Sequence, residues 1–319
     1  MGMLGRNTTG VIPIVPTPFT DKGEIAYDDI GRLVDYYEKC GVVGLTILGV
    51  MGEADKLTWE ETLAVVRAYF KQAAGRLPVI VGATSPSLRL SAELGRIAVS
   101  EGAAGVMLQP MSGLKTDAAV VDYYKAYAEL TAGSVPICVQ DFPQSSGVNL
   151  TLPAWCEISR LEPVFMLKHE PPAGLQKLSG IRAAEKRNEA QRVSILTSNN
   201  AMHLPQELQR GADGAMVGVA FTDIIVRVVR LHLDGQLDAA EDLYDLLLPL
   251  IRHETQGMFG LAIRKEILRR RGALTHANLR YPGASLTEGD REELVRLLDR
   301  FRTRAAAKGI DILLDVVRS

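Results

Sequence analysis

Short apolar runs and amphipathic stretches alternate along this chain. Val11 to Val15, Val43 to Leu48, Pro78 to Ala83, Gly105 to Leu108, Pro136 to Val139, Phe165 to Leu167, Ser194 to Thr197 and Gly214 to Val217 make eight apolar, β-rich runs. They are short and continuous rather than alternating, the pattern of strands covered on both faces. The stretches between them carry helical periodicity. Asp28 to Lys39 places Ile30, Leu33, Val34 and Tyr37 on one face, and Trp59 to Ala74 and Leu88 to Glu101 behave the same way. Eight such units predict an α/β protein, a closed (β/α)8 TIM barrel with a C-terminal helical extension. An open doubly wound sheet is the alternative, but Pro16-Thr17-Pro18-Phe19 follows the first strand where that fold has a GxGxxG turn. Beyond the eighth strand the pattern is all helical: Asp223 to Leu233, Ala239 to His253, Phe259 to Arg271 and Glu288 to Lys308, punctuated by Gly235, Gly257 and Gly272. Residues 1–222 are therefore expected to form the barrel. Residues 223–319 supply its last helix and a helical bundle packed against it.

Composition narrows the function classes. The 319 residues leave room for a barrel of about 250 residues and an appendix. Formal net charge is −2, from 36 basic and 38 acidic residues, so there is no basic stripe for a nucleic acid. The densest basic run, Arg264-Lys265 with Arg269 to Arg271, lies on a helical pattern and reads as a solvated face or a subunit contact. No apolar run is long enough to span a membrane, and Met1 to Gly10 has no apolar signal core. Cys40, Cys138 and Cys156 have no metal-like spacing, and the histidines are scattered. Reduced thiols, a cytoplasmic location and no metal are the expectation.

In a barrel of this kind chemistry sits just past the C-terminal ends of the strands. Those positions are Pro16 and Thr17, Gly49 to Glu53, Thr84 and Ser85, Pro110, Gln140 and Asp141, Lys168 and Glu170, Asn199 and Asn200, and Gly218. Lys168 ends the sixth apolar run. Burial disfavours an ammonium, and a neutral amine is the nucleophile that forms a Schiff base with a ketone. His169 should point to the opposite side and serve packing, whereas Glu170, two residues on, should share a cavity with Lys168. The turn Gly49-Val50-Met51-Gly52-Glu53 offers close backbone approach and N–H groups suited to a carboxylate.

Together, Val15-Pro16-Thr17-Pro18-Phe19, Gly49-x-x-Gly52-Glu53, Pro78-Val79-Ile80-Val81-Gly82, Lys168 and Gly211-Ala212-Asp213-Gly214 resemble the dihydrodipicolinate synthase and N-acetylneuraminate lyase family over nearly the whole chain. The resemblance implies a class I lyase with no cofactor beyond the covalent Lys168 imine. It implies a small-molecule 2-oxo acid substrate whose carboxylate lies on the Gly49 to Glu53 turn, and a homo-oligomer, tetramer or dimer.

The departures carry information. Val50 and Met51 replace the family's hydroxylated turn residues, leaving only backbone donors there. Gln140 replaces the proton-relaying tyrosine, and glutamine is neither acid nor base. Met111-Ser112 replaces the tyrosine pair, and Gln144-Ser145-Ser146-Gly147 lacks the arginine that holds a second carboxylate in the synthase. Val139-Gln140-Asp141, Lys168-His169-Glu170 and Pro249-Leu250-Ile251-Arg252-His253-Glu254 instead resemble the 2-keto-3-deoxyarabonate dehydratase branch. That branch has a different second-strand turn, and a histidine where this chain has Ser85. The resemblance implies loss of water from a 2-keto-3-deoxy sugar acid to give 2-oxoglutarate semialdehyde. Lys168 and Glu170 would be catalytic; Gly49, Val50, Met51, Gly52, Glu53, Gln140, Asp141, Asn199 and Gly218 would bind substrate. A pyruvate-dependent aldolase or hydratase-aldolase, and a non-catalytic 2-oxo-acid-binding protein, are the alternatives.

Overall fold

The computed structural model describes residues 4–172 and 174–312. Eight parallel strands, β1 (Gly10–Val11), β2 (Leu45–Ile47), β3 (Val79–Gly82), β4 (Gly105–Leu108), β5 (Ile137–Asp141), β6 (Val164–His169), β7 (Ser194–Thr197) and β8 (Gly214–Ala215), form one sheet. It is hydrogen-bonded in the order β1-β8-β7-β6-β5-β4-β3-β2. A parallel bridge between Ile14 and Thr46 joins the two ends, with Val15 N–H donating to the Thr46 carbonyl (2.8 Å) and Thr46 N–H to the Pro13 carbonyl (2.9 Å). The sheet is thus a closed barrel. The first strand is shorter than its apolar run because Pro13 and Pro16 have no N–H to give to a ladder.

Helices α1 (Tyr27–Cys40), α2 (Trp59–Ala73), α3 (Leu88–Ser100), α4 (Asp117–Leu130), α5 (Pro143–Ser146), α6 (Leu152–Ile158), α7 (Gly174–Lys186), α8 (Leu204–Gln209) and α9 (Thr222–Leu233) surround the strands. Side-chain alternation sorts the strand residues into two cores. One fills the barrel with Ile12, Ile14, Ile80, Met107, Cys138, Met166, Leu196 and Met216, joined by Met51 from the turn after β2 and by Phe165, which packs on the same group although it neighbours Met166. The other lies between strands and helices and includes Leu167, Val139 and Ile195. Met166 faces inward and Leu167 outward, so Lys168 emerges at the top of the barrel interior.

The tail comprises α10 (Leu237–His253), α11 (Gly260–Arg270) and α12 (Glu288–Ala307). It shares the outer apolar core with the barrel through residues such as Leu247, Ile267 and Phe301, and polar anchors add to this. Arg271 donates to Asp223 (2.8 Å), the Ala220 carbonyl (2.8 Å) and the Tyr36 hydroxyl (2.6 Å). Arg280 forks onto Glu61 (2.6 and 2.7 Å), the residue that completes the capping box of α2 with Thr58. Three residues of the basic run are therefore not solvated. Arg264, Lys265 and Arg271 are buried, each against an acid: Glu254, Glu53 and Asp223. Helical periodicity could not anticipate this, because the acids come from distant segments. Among the described residues no helix is long and apolar enough to cross a membrane.

Candidate active site

At the C-terminal end of the barrel is a cavity of about 260 Å³. Larger hollows, about 650 and 850 Å³, are lined by residues from the opposite ends of the strands and beside α9, and neither contains Lys168. The small cavity gathers Ile14, Val50, Met51, Gln140, Lys168, Glu170 and Gly218 from the barrel, with Phe142, Ser198 and Asn200. Glu254, Thr255, Gly257 and Arg264 come from the tail.

Its polar centre is Glu170. Lys168 Nζ lies 2.6 Å from Glu170 Oε1. Gln140 Nε2 donates to the same oxygen (2.8 Å) and Ser198 Oγ to Oε2 (2.8 Å). All four residues are buried. Strand register explains the meeting: Gln140 is the direct partner of Lys168 across β5 and β6. Glu170 lies one residue past β6 and stays aligned because its N–H donates to the Asp141 carbonyl (3.0 Å). A carboxylate in contact with a lysine amine can take its proton, and the freed amine can then attack a carbonyl.

The turn after β2 is a 3-10 turn over Val50–Gly52. Gly52 N–H and Glu53 N–H are spent on the Gly49 and Val50 carbonyls (2.8 and 3.1 Å). Val50 and Met51, as the first two positions, have N–H groups with no acceptor inside the turn, and both residues line the cavity. Gly218 is close-packed against them: a Cβ there would stand 1.6 Å from Met51 Sδ.

Five residues expected at the site do not line the cavity. Glu53 turns away in a left-handed conformation (φ 50°), where Lys265 (2.6 Å), Lys56 (2.8 Å) and Arg280 N–H (3.0 Å) hold its carboxylate. Its role in this structure is to clamp the turn to the tail. Asp141 faces outward, being the strand partner of His169, and binds Lys177 (2.5 Å). Asn199 is replaced at the cavity wall by Asn200, because Asn199, Asn200 and Ala201 all have positive φ and re-aim the chain. Gly49 and Gly52 shape the turn without lining the cavity.

His169 faces the helices, as strand parity requires. Burial pushes its pKa down to about 4, so it is neutral at pH 7, and Nε2–H is the donor to the Gly174 carbonyl (2.9 Å). Ser198, directly after β7, could have been found by the strand-end rule. Glu254, Thr255 and Arg264 carried no such signal. Among the described residues no group of three or more His, Cys, Asp or Glu side chains is arranged to hold a metal.

Residues 7–301 match the family described as "Dihydrodipicolinate synthetase family". The L-2-keto-3-deoxyarabonate dehydratase of Azospirillum brasilense is 32% identical over 295 residues, 91% of this chain and 94% of that protein. A 4-hydroxy-tetrahydrodipicolinate synthase of Synechococcus sp. is 31% identical, over 76% of this chain and 78% of that one. Among solved structures, dihydrodipicolinate synthase from Rhodopseudomonas palustris superposes with a TM-score of 0.90 at 41% identity, covering 93% of this chain and 99% of that chain. The sialic acid aldolase of Ruminococcus gnavus, at 21% identity and a TM-score of 0.84, shares the fold, over 94% of this chain and 97% of that one. With a family model matched from residue 7 to residue 301 and a buried lysine at the end of the sixth strand, this chain belongs to the dihydrodipicolinate synthetase family and is a Schiff-base lyase of that family.

Proposed function

We propose that the protein dehydrates a 2-keto-3-deoxy sugar acid, as an L-2-keto-3-deoxyarabonate dehydratase does, releasing 2-oxoglutarate semialdehyde. The observation that carries this reading is the Lys168–Glu170 contact in a cavity where no tyrosine is among the described lining residues. Glu170 is thus the available acid–base group beside the imine carbon. Similarity to the Azospirillum brasilense dehydratase over most of both chains supports it.

The substrate C1 carboxylate rests on the N–H groups of Val50 and Met51. Glu170 takes the proton from Lys168, whose amine adds to the C2 ketone; that proton then leaves with the carbinolamine hydroxyl as water, which gives the imine and returns Glu170 to a carboxylate. The imine acidifies the C3 protons, and Glu170 removes one to form the enamine. The enamine electrons expel the C4 hydroxyl, which leaves as water with the proton that Glu170 carries. Glu170, a carboxylate again, removes a proton from C5 and returns it to C3, which moves the C3=C4 double bond to C4=C5, where the C5 hydroxyl makes it an enol. Ketonisation gives the aldehyde, and water hydrolyses the imine to free Lys168. Aldol cleavage needs a base at the C4 hydroxyl instead, the task for which the family's tyrosine is suited and which glutamine at position 140 cannot take over.

The test is incubation with a panel of 2-keto-3-deoxy acids and identification of products by mass. A product one water lighter, with the carbon chain intact, is expected. Pyruvate plus an aldehyde would refute dehydration. Borohydride with pyruvate should leave an adduct on the Lys168 peptide that Lys168→Ala lacks; an adduct on Lys177 would refute the assignment of the nucleophile.

A further inference from the structure

The cavity has a second polar end, built by the tail. Glu254 follows α10 and Arg264 lies one turn into α11. Arg264 Nε donates to Glu254 Oε2 (3.2 Å) and one Nη2 N–H to the Glu254 carbonyl (2.8 Å). Ala220 N–H also donates to Glu254 Oε2 (3.2 Å). This approach demands glycine at 260, where a Cβ would lie 2.3 Å from the Glu254 carbonyl oxygen. Asn200 Nδ2 reaches Thr255 Oγ1 (3.4 Å) at the same wall.

A guanidinium has five N–H donors. Two are used by Glu254, and the other three have no acceptor among the described residues. Arg264 is only 6% exposed and lines the cavity. Because Arg264 lines the cavity with donors to spare, a ligand oxygen placed there can gain a charge-assisted hydrogen bond. The charge nearby is offset as well, since Glu254 is fully buried against the guanidinium. A neutral oxygen gains the hydrogen bond, whereas a carboxylate or phosphate meets no net positive charge and repels Glu254.

We propose that Arg264, held by Glu254, is a specificity-determining residue that binds the terminal hydroxyl of the substrate and selects against 2-oxo acids ending in a carboxylate or phosphate. The inference rests on reading this cavity as the 2-oxo-acid site. Neither residue belongs to the Lys168–Glu170 cluster that performs the chemistry.

The test is borohydride trapping at Lys168, quantified by mass, with pyruvate, 2-keto-3-deoxypentonate and 2-oxoglutarate as probes. It is run at pH 8, above the value of about 7 to which burial pushes Glu254. In Arg264→Met the ratio of half-saturating concentrations, 2-keto-3-deoxypentonate over pyruvate, should rise about tenfold or more, the scale of one hydrogen bond to a charged group. In Glu254→Gln, 2-oxoglutarate should gain on 2-keto-3-deoxypentonate by about tenfold. Arg264→Met leaves Glu254 buried without its partner, so Arg264→Met/Glu254→Gln, which removes both charges, provides a second folded background. Unchanged ratios in folded variants that still trap pyruvate overturn this inference alone. Absence of any adduct at Lys168 in the wild-type protein overturns the reading of the cavity, and this inference with it.

Discussion

Replacing Glu170 by glutamine separates the two things its carboxylate does. The amide keeps the shape. Its oxygen can still accept from Gln140 and Lys168, now at 2.8 and 2.6 Å, while its nitrogen can donate to the Ser198 hydroxyl once that proton rotates away. What disappears is the base and the negative charge. At 2.6 Å and an effective dielectric of about 20, the attraction lost is roughly 6 kcal/mol before desolvation is counted. Breaking a buried pair by removing one partner costs about 3–5 kcal/mol net, so urea unfolding at pH 7 should show a loss within that range. The lysine nucleophile is untouched, so borohydride trapping with pyruvate should persist in Glu170→Gln. Turnover of a 2-keto-3-deoxy acid should fall about 10²-fold or more, the scale of a general base. Full turnover would refute the role of Glu170 outright. Loss of trapping in a folded variant would place the need for Glu170 at imine formation and leave its role at C3 unsupported.

Other consequences are equally direct. Gly218→Ala drives a methyl into Met51 Sδ and should raise the half-saturating pyruvate concentration several-fold; Met51→Ala in the same chain should restore it, and failure of that rescue would detach Gly218 from the turn. Lys265→Met removes a fully buried partner of Glu53 and should destabilise by about 3 kcal/mol in urea unfolding; a change under ~0.5 kcal/mol would mean that Lys56 and Arg280 hold Glu53 unaided. Glu207, which accepts from the Thr197 hydroxyl, has its pKa pushed up by burial to about 7. The native state then binds the extra proton, and stability falls as pH rises from about 4.5 to 7. Glu207→Gln should abolish that slope and stabilise the protein at pH 8 by at most about 3 kcal/mol; identical pH profiles for variant and wild type would contradict the shift.

The fold was legible because its determinants are local and repeated. Eight apolar runs separated by amphipathic stretches leave few architectures that bury every strand on both faces. A period of two then decides that Lys168 points into the barrel and His169 out of it. Gln140 could be read for the same reason: parallel strands ending at one rim bring their last residues together in register. Glu170 followed from position too, since it lies just beyond its strand. Glu53 shows where this logic stops. A carboxylate ending a glycine turn looks identical whether it faces a substrate or a lysine, and the lysine that claims it is Lys265, 212 residues away. Asn199 and Asn200 could not be ranked from sequence, because a run of positive φ, not strand parity, decides which of them reaches the cavity. Arg264 lies in the run whose helical pattern suggested a solvated face or a subunit contact, and it is buried. Helical periodicity locates a face but not what packs on it, and only the folding of the tail over the barrel mouth brought Arg264 and Glu254 to the same cavity as Lys168.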